Sequence, residues 1–138
     1  MKPHKFILDK KIVFSQNKRT IMLKAKRYHI VCDLMKCNNK INKKNELIDF
    51  IVNLAQLINM KIIKGPEIEK GTAKNPGLTA FAIIDYSHIS VHTFTKYNEA
   101  LIDIFSCKKY NAKKAFDFCL NFFESDINNS RINKVCWE

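Results

Sequence analysis

Residues 78–107, LTAFAIIDYSHISVHTFTKYNEALIDIFSC, decide the fold of this chain. The stretch follows a Pro-Gly pair and contains neither glycine nor proline. Its apolar and β-branched pattern predicts a strand, a tight turn at 85–88, a second strand, a hairpin loop and a third strand that ends at Cys107. Ser87 and two histidines fall among these strands, so we expect any chemistry of the protein to lie here.

The sequence before this stretch predicts a strand, a helix, a short second strand and a loop. Residues 28–34 (YHIVCDL) are typical of a strand, and residues 46–60 repeat apolar side chains at helical spacing. Asn45 is the candidate N-cap of that helix. Residues 61–63 begin a strand that a Gly-Pro pair should stop, and the polar segment 67–77 predicts a loop.

The sequence after this stretch predicts a second helix over residues 112–123, capped by Asn111, and an edge strand over residues 134–137. Two amphipathic helices and about six short strands predict an α+β fold. We expect a two-layer sandwich, in which an antiparallel sheet carries both helices on one face.

The domain organisation predicted is a basic N-terminal extension, residues 1–26, followed by one domain over residues 27–138. Phe6–Leu8 and Ile12–Phe14 form either short strands or parts of a mobile arm. The length of 138 residues suits a single domain. No apolar run reaches the roughly 18 residues that span a bilayer, and the N-terminus does not resemble a secretory signal.

Five cysteines at irregular spacing favour free thiols in a reducing cytoplasm, and none of the spacings predicts a metal site. The net charge of +11 comes mostly from lysines scattered among asparagines. Arginine, which reads bases and binds phosphates through two hydrogen bonds, is scarce. The composition therefore favours a solvated basic surface over nucleic-acid binding.

In the second strand of the central stretch, alternation places His88, Ser90 and His92 on one face. A hairpin that is symmetric about Tyr97 would set His92 opposite Ile102 and Ser87 opposite Cys107. A hydroxyl, a thiol and an imidazole would then lie near one end of the sheet. Each residue also has a structural interpretation, as a turn serine, a sheet histidine or a core cysteine.

The segments SHISVHT and DIFSC resemble the bacterial and archaeal S-adenosylmethionine decarboxylases. That family has E-S-H-x-[ST]-[IV]-H-T followed by D-[VIL]-F-[TS]-C, and Ser87 and Cys107 stand at the interval that the family requires. The similarity also includes the preceding PG-L-T segment and both predicted helices.

The resemblance implies a two-layer sandwich proenzyme that cuts its own backbone. Ser87 Oγ would attack the carbonyl of Tyr86, and the resulting ester would undergo β-elimination. Residues 1–86 would become the β chain, and residues 87–138 the α chain, with a pyruvoyl group formed from Ser87. This cofactor would form a Schiff base with the amine of an amino-acid-type substrate and accept electrons as CO₂ leaves.

The resemblance also implies roles for individual residues. His92 would assist the elimination, and Cys107 would donate a proton to the decarboxylated carbanion. Thr79 stands where the family has a serine that supports processing, and reaches the site only if the sheet folds back or a neighbouring subunit supplies it. A homodimer of processed protomers is implied.

Two positions depart from the family pattern. Tyr86 replaces the glutamate before the cleaved bond. In the hairpin loop, Phe94 keeps an aromatic ring for adenine, whereas Lys96 replaces the glutamate that binds the ribose. Three interpretations stay open: an S-adenosylmethionine decarboxylase of polyamine synthesis, a decarboxylase of arginine or ornithine from the same family, and an uncleaved paralogue that acts as a regulatory partner.

Overall fold

The computed structural model describes residues 19–137. The segments 6–8 and 12–14, predicted as short strands or a mobile arm, lie outside the described residues. The described part forms six strands, two α-helices and one short 3₁₀-helix, in the following order: β1 (Tyr28–Leu34), the 3₁₀-helix (Asn39–Asn42), α1 (Lys44–Leu57), β2 (Ile62–Thr72), β3 (Asn75–Ile84), β4 (Ser87–Phe94), β5 (Glu99–Ser106), α2 (Ala112–Phe122) and β6 (Arg131–Lys134).

The six strands form one sheet in the order β2-β3-β4-β5-β1-β6, and every neighbouring pair is antiparallel. Strands β2 to β5 follow one another as hairpins. Strand β1 lies beside β5, so the first and the last strand of the chain complete the same edge.

The core lies between the sheet and the two helices. It contains the inward side chains of β4 and β5, and the buried faces of α1 and α2. Phe50 of α1 stacks with Phe118, and its ring also packs against Phe122 and Phe123. The opposite face of the sheet has no helix against it in the described part of the chain; we call it the open face. The α+β two-layer sandwich predicted from the sequence is confirmed.

The long hairpin of β2 and β3 corrects two predictions. Residues 67–77 are not a loop, and the Gly65-Pro66 pair does not stop the strand that begins at Ile62. Strand β2 lies at the sheet edge and pairs irregularly with β3 around Gly65, whose φ is 90°. An irregular edge strand tolerates a proline that a central strand would reject.

Two further boundaries differ from the predictions. Asn45 does not cap α1, because the helix begins at Lys44 and the capping position is Lys43, which makes no side-chain capping bond. The last strand covers Arg131–Lys134 rather than 134–137, although it is an edge strand as predicted. Asn111 does cap α2, and its side chain accepts a hydrogen bond from the backbone nitrogen of Lys114 at 3.0 Å.

Candidate active site

The turn between β3 and β4 places Tyr86 and Ser87 at one end of the sheet. Asp85 holds this turn, since its backbone nitrogen donates to the carbonyl of Lys61 at 2.8 Å and its carboxylate accepts from the Lys61 nitrogen at 3.0 Å. Ser87 has a φ of 146°, a region that residues with a side chain rarely adopt. The peptide before Ser87 is therefore strained, and strain of this kind is concentrated at functional sites.

Cys107 places two donors on the carbonyl oxygen of Tyr86. Its backbone nitrogen lies 3.0 Å from that oxygen, and its Sγ lies 3.5 Å away. Ser106 builds the local turn, because its buried hydroxyl donates to the Lys108 carbonyl at 2.8 Å and accepts from the Lys108 nitrogen at 2.9 Å. Two donors on one carbonyl can stabilise the negative charge that develops when a nucleophile attacks it.

The predicted hairpin register is wrong by one residue. Ser87 pairs with Ser106, and His92 pairs with Leu101. The β4–β5 loop turns through a hydrogen bond from the Tyr97 nitrogen to the Phe94 carbonyl, with Asn98 at a φ of 56°. Cys107 still contacts the predicted cleavage position, because it follows directly after β5 and bonds to Tyr86 rather than to Ser87.

The structure divides the predicted site residues into two groups. Tyr86, Ser87 and Cys107 meet at one end of the sheet, which we call the Ser87 end. His92 lies five residues further along β4, about 16 Å away at strand spacing, and Thr79 lies beside it on β3. Strand β3 folds back so that Thr79 pairs with His92, and Thr79 Oγ1 shares a hydrogen bond of 2.8 Å with His92 Nδ1.

The two predicted substrate residues, Phe94 and Lys96, lie beyond His92 at the same end as Thr79. The rings of His92 and Phe94 meet edge to face, with centroids 4.8 Å apart. A small cleft of about 100 Å³ follows, lined by the residues of two hairpin loops: Lys74, Asn75, Pro76, Gly77, Phe94, Thr95, Lys96 and Tyr97. Tyr97, which is 70% exposed, supplies a second aromatic ring that the sequence analysis missed.

Three further polar residues lie close to Ser87 on the open face. Ser87 Oγ is hydrogen-bonded to Nδ1 of His88 at 3.0 Å. Nε2 of His88 lies 4.0 Å from Asp103 Oδ1, and Nε2 of His29 lies 2.9 Å from the same oxygen. A single carboxylate inside the apolar run LIDIF was the signal in the sequence that could have identified Asp103.

Two buried thiols differ from Cys107 in their surroundings. Burial raises the pKa of Cys119 well above the usual thiol value, and burial also raises the pKa of Cys37. These thiols stay protonated and pack as small apolar side chains, whereas Cys107 is exposed. None of Cys32, Cys37, Cys107 and Cys119 forms a disulfide.

Burial likewise raises the pKa of Tyr110, whose hydroxyl donates to the Ile104 carbonyl at 2.9 Å. Tyr110 therefore remains neutral and fixes the loop after β5 against the sheet. Within residues 19–137, no three side chains of metal-ligating type come together in a way that could hold an ion. Neither α-helix of the described part is long and apolar enough to cross a membrane.

Comparison with known proteins agrees with the fold. Residues 28–134 match the sequence profile of the family described as S-adenosylmethionine decarboxylase. An S-adenosylmethionine decarboxylase proenzyme of Pyrobaculum islandicum is 33% identical over 95 residues, which cover 67% of this chain and 74% of the relative. An arginine decarboxylase proenzyme of Caldivirga maquilingensis is 24% identical over 94 residues, covering 67% of this chain and 70% of the relative.

A solved structure supports the same architecture. The crystal structure of the adenosylmethionine decarboxylase from Aquifex aeolicus has a TM-score of 0.63 and 22% identity, and the match covers 81% of this chain and 88% of that chain. Fold and relatives together define a decarboxylase of the pyruvoyl-dependent class. The chain belongs to the S-adenosylmethionine decarboxylase family. The family prediction made from SHISVHT and DIFSC is confirmed.

Proposed function

We propose that this chain is a proenzyme that cuts itself between Tyr86 and Ser87 and then decarboxylates S-adenosylmethionine. The observation that carries the proposal is the strained Ser87, next to a carbonyl that receives two donors from Cys107. A nucleophile, a carbonyl under strain and stabilisation of the oxyanion are the elements of an acyl transfer.

Cleavage takes two steps. Ser87 Oγ bonds to the carbonyl carbon of Tyr86 as the peptide C–N bond breaks, which leaves an ester and a free Ser87 amine. A base then removes the Cα proton of Ser87, the Cβ–Oγ bond breaks, and Tyr86 leaves as a carboxylate. The resulting dehydroalanine is hydrolysed: water adds, the nitrogen is released as ammonia, and a pyruvoyl group remains at position 87.

The residues present fit this cofactor, because position 87 lies at an accessible turn beside the Cys107 thiol. The pyruvoyl group supplies a ketone that condenses with the substrate amine and withdraws electrons from the bond to the departing CO₂. Cys107 then donates a proton to the carbon that has lost its carboxylate. No metal has a part in this proposal.

The base of the elimination step comes, in this proposal, from a second subunit. His92 lies about 16 Å from Ser87 of its own protomer, too far for proton transfer. A two-fold axis that crosses β4 near Ser90 would place Ser87 of each protomer against His92 and Thr79 of the partner subunit. The open face supports such a homodimer, because Phe81 and Ile83 are 43% and 41% exposed on it.

The same dimer would bring the cleft at the β4–β5 loop to the Ser87 end of the other protomer. Phe94 and Tyr97 offer aromatic surfaces for an adenine ring. Lys96 can donate to the ribose oxygens, although it cannot accept from them as the glutamate of the family pattern does. The two aromatic rings of the cleft favour a substrate with an adenine ring, which arginine lacks.

Decarboxylation of arginine or ornithine is the second candidate, favoured by the loss of that glutamate and by the arginine decarboxylase relative. A cytoplasmic location suits the reduced thiols of Cys32, Cys37, Cys107 and Cys119. Residues 27–138 form the proposed catalytic domain, and residues 1–26 an extension to it.

Intact mass of the purified protein tests the proposal. We expect two fragments, residues 1–86 and 87–138, and a single uncut chain for Ser87→Ala. The cut protein should release CO₂ from S-adenosylmethionine and not from arginine or ornithine. Release from one of the other two would favour the second candidate. A wild-type chain that stays uncut after long incubation would refute both enzymes and favour an uncleaved regulatory paralogue.

A further inference from the structure

His88, Asp103 and His29 form a polar row beside Ser87 that none of the roles described so far uses. His88 lies next to Ser87 on β4, and its Nδ1 is 3.0 Å from Ser87 Oγ. Asp103 of β5 stands 4.0 Å from the other nitrogen of the ring, and His29 of β1 binds the same carboxylate oxygen at 2.9 Å. Three strands thus contribute to one row of polar groups, in which His88 contacts the serine hydroxyl, Asp103 faces His88, and His29 contacts Asp103.

We propose that His88 is the proton acceptor of the first processing step, with Asp103 and His29 as its positioning residues. This inference rests on the proposed self-cleavage at Ser87, and it concerns a step that His92 of the same protomer cannot reach.

The hydrogen-bonding pattern favours one tautomer for each ring. Nδ1 of His29 is buried and has no hydrogen-bond partner. A proton on that nitrogen would be a buried donor without an acceptor, whereas a proton on Nε2 is donated to Asp103. His29 therefore donates through Nε2 and helps to hold the Asp103 carboxylate beside His88.

His88 then has its proton on Nε2, toward Asp103, and its free lone pair on Nδ1, toward Ser87. A hydroxyl needs such an acceptor to become a nucleophile. The imidazolium that forms lies 4.0 Å from the Asp103 carboxylate, which stabilises its charge. A base that is itself oriented by a carboxylate recurs in unrelated hydrolases.

Aromatic rings hold the row in place. His88 stacks on Phe81 with centroids 5.4 Å apart, and it also contacts Phe105 at 5.8 Å. His29 meets Phe105 edge to face and stacks on Trp137, with an interplanar angle of 2°. The two imidazoles therefore have little freedom to turn away from Asp103.

His88 both removes and returns the proton that this step requires. His88 takes the Ser87 hydroxyl proton as Oγ bonds to the Tyr86 carbonyl carbon, and the oxyanion accepts hydrogen bonds from Cys107. When the C–N bond breaks, His88 returns the proton to the nitrogen of Ser87. The product is the ester, which is the substrate of the elimination step.

The two steps can be separated experimentally, because hydroxylamine cleaves an ester but leaves a peptide intact. Chains made by cell-free synthesis are followed by intact mass, with and without hydroxylamine. His92→Ala should accumulate the ester and be cut at Tyr86–Ser87 by hydroxylamine. His88→Ala should form the ester about 10²–10³-fold more slowly than the wild type, and added imidazole should restore part of the rate.

Asp103→Asn should slow ester formation about tenfold or more, while Asp117→Asn, an exposed carboxylate paired with Lys113, serves as the matched control and should change nothing. Ester formation in Asp103→Asn at the wild-type rate would overturn the positioning role. Ester formation in His88→Ala at the wild-type rate, or a folded His88→Ala that imidazole does not rescue, would overturn the role of His88.

Should His88→Ala lack the circular dichroism of the wild type, His88→Gln takes its place. Its amide can accept a hydrogen bond but cannot take a proton, so we expect the same loss, and a wild-type rate would refute the inference. If the wild-type chain is cut but the His88 variants are cut equally fast, only this inference fails. If the wild-type chain itself is never cut, the proposed function fails with it.

Discussion

At the scale of single residues, Cys107 has two functions in the proposed mechanism, because it carries two donors. Its backbone nitrogen holds the Tyr86 carbonyl before cleavage, and its thiol remains exposed beside position 87. Only the second function depends on the side chain. Cleavage and decarboxylation should therefore respond differently when the thiol is removed.

Cys107→Ala should leave cleavage largely intact, because the backbone donor at 3.0 Å remains. The loss should stay below the roughly 10²-fold that removal of a strong oxyanion donor costs. CO₂ release by the cut protein should fall about 10²–10⁴-fold, since the proton donor is gone. Cys136→Ala, the other exposed cysteine, is the control. Unchanged CO₂ release in Cys107→Ala would contradict the proton-donor role.

The sequence predicts candidate site residues where a motif contains them, but it does not predict the distances between their side chains. Ser87 and Cys107 were identified from the motif, but the assumed hairpin symmetry paired them directly, one residue away from the observed register. The contact between Cys107 and Tyr86 depends on the loop length, which the sequence left open. The sequence places His88 on the same strand face as His92 but does not reveal the row beside it, because Asp103 and His29 come from β5 and β1, which are distant in sequence.

At the scale of elements, the backbones of β3 and β4 come very close at Gly77 and Thr93, at the end of the sheet opposite Ser87. A side chain at Gly77 would place its Cβ 1.7 Å from the Thr93 carbonyl oxygen, so no larger residue fits. The backbone nitrogen of Leu78 donates to the Thr93 hydroxyl at 2.9 Å. Thr93 is fully buried, and its hydroxyl satisfies a donor that would otherwise have no partner.

Thr93→Val keeps the shape of the side chain but removes that acceptor. We expect the free energy of unfolding to fall by about 1–3 kcal/mol, the cost of an unsatisfied buried donor. Urea unfolding should be measured in a Ser87→Ala background, so that the chain stays in one piece. Thr95→Val in the adjacent loop is the matched control. An equal effect of both substitutions would show that the Leu78 bond is not the cause.

Helices and the central hairpins were predictable because their periodicity is strong, whereas β2 and the start of β3 were not. Gly65, Pro66, Gly71, Pro76 and Gly77 all favour turns in isolation. In the structure, the irregular pairing of β2 accommodates the first two. The other three fall near the β2–β3 turn, where Thr72 pairs with Asn75. Tertiary pairing overrode local preference, and only long-range contacts could have revealed it.

At the scale of the whole molecule, the proposed site is incomplete in one protomer. The Ser87 end holds the nucleophile and the carbonyl, whereas His92 lies at the far end of β4 with Thr79 of β3 beside it. The open face between them carries exposed Phe81 and Ile83 as well as the His88–Asp103 row. Pairing of two open faces would bury the apolar side chains and complete both sites.

Complementation between two inactive chains tests this arrangement. Ser87→Ala keeps His92 but cannot be cut, and His92→Ala keeps Ser87 but lacks the base. Each chain alone should remain uncut. When the two are co-expressed, His92→Ala chains in mixed dimers should be cut, because the Ser87→Ala partner supplies the missing imidazole. Uncut His92→Ala chains in a mixed population of demonstrated dimers would refute a shared site.

The strand order has one more consequence for a chain that is cut after β3. Residues 1–86 contribute β1, β2 and β3, and residues 87–138 contribute β4, β5 and β6. In the sheet, β1 of the first fragment is inserted between β5 and β6 of the second. An uncut precursor refolds in a first-order reaction, but two separated fragments must meet by diffusion. Cleavage therefore makes renaturation depend on protein concentration. When a cleaved molecule unfolds, its two fragments separate, and each must associate with a complementary fragment before the sheet can form again.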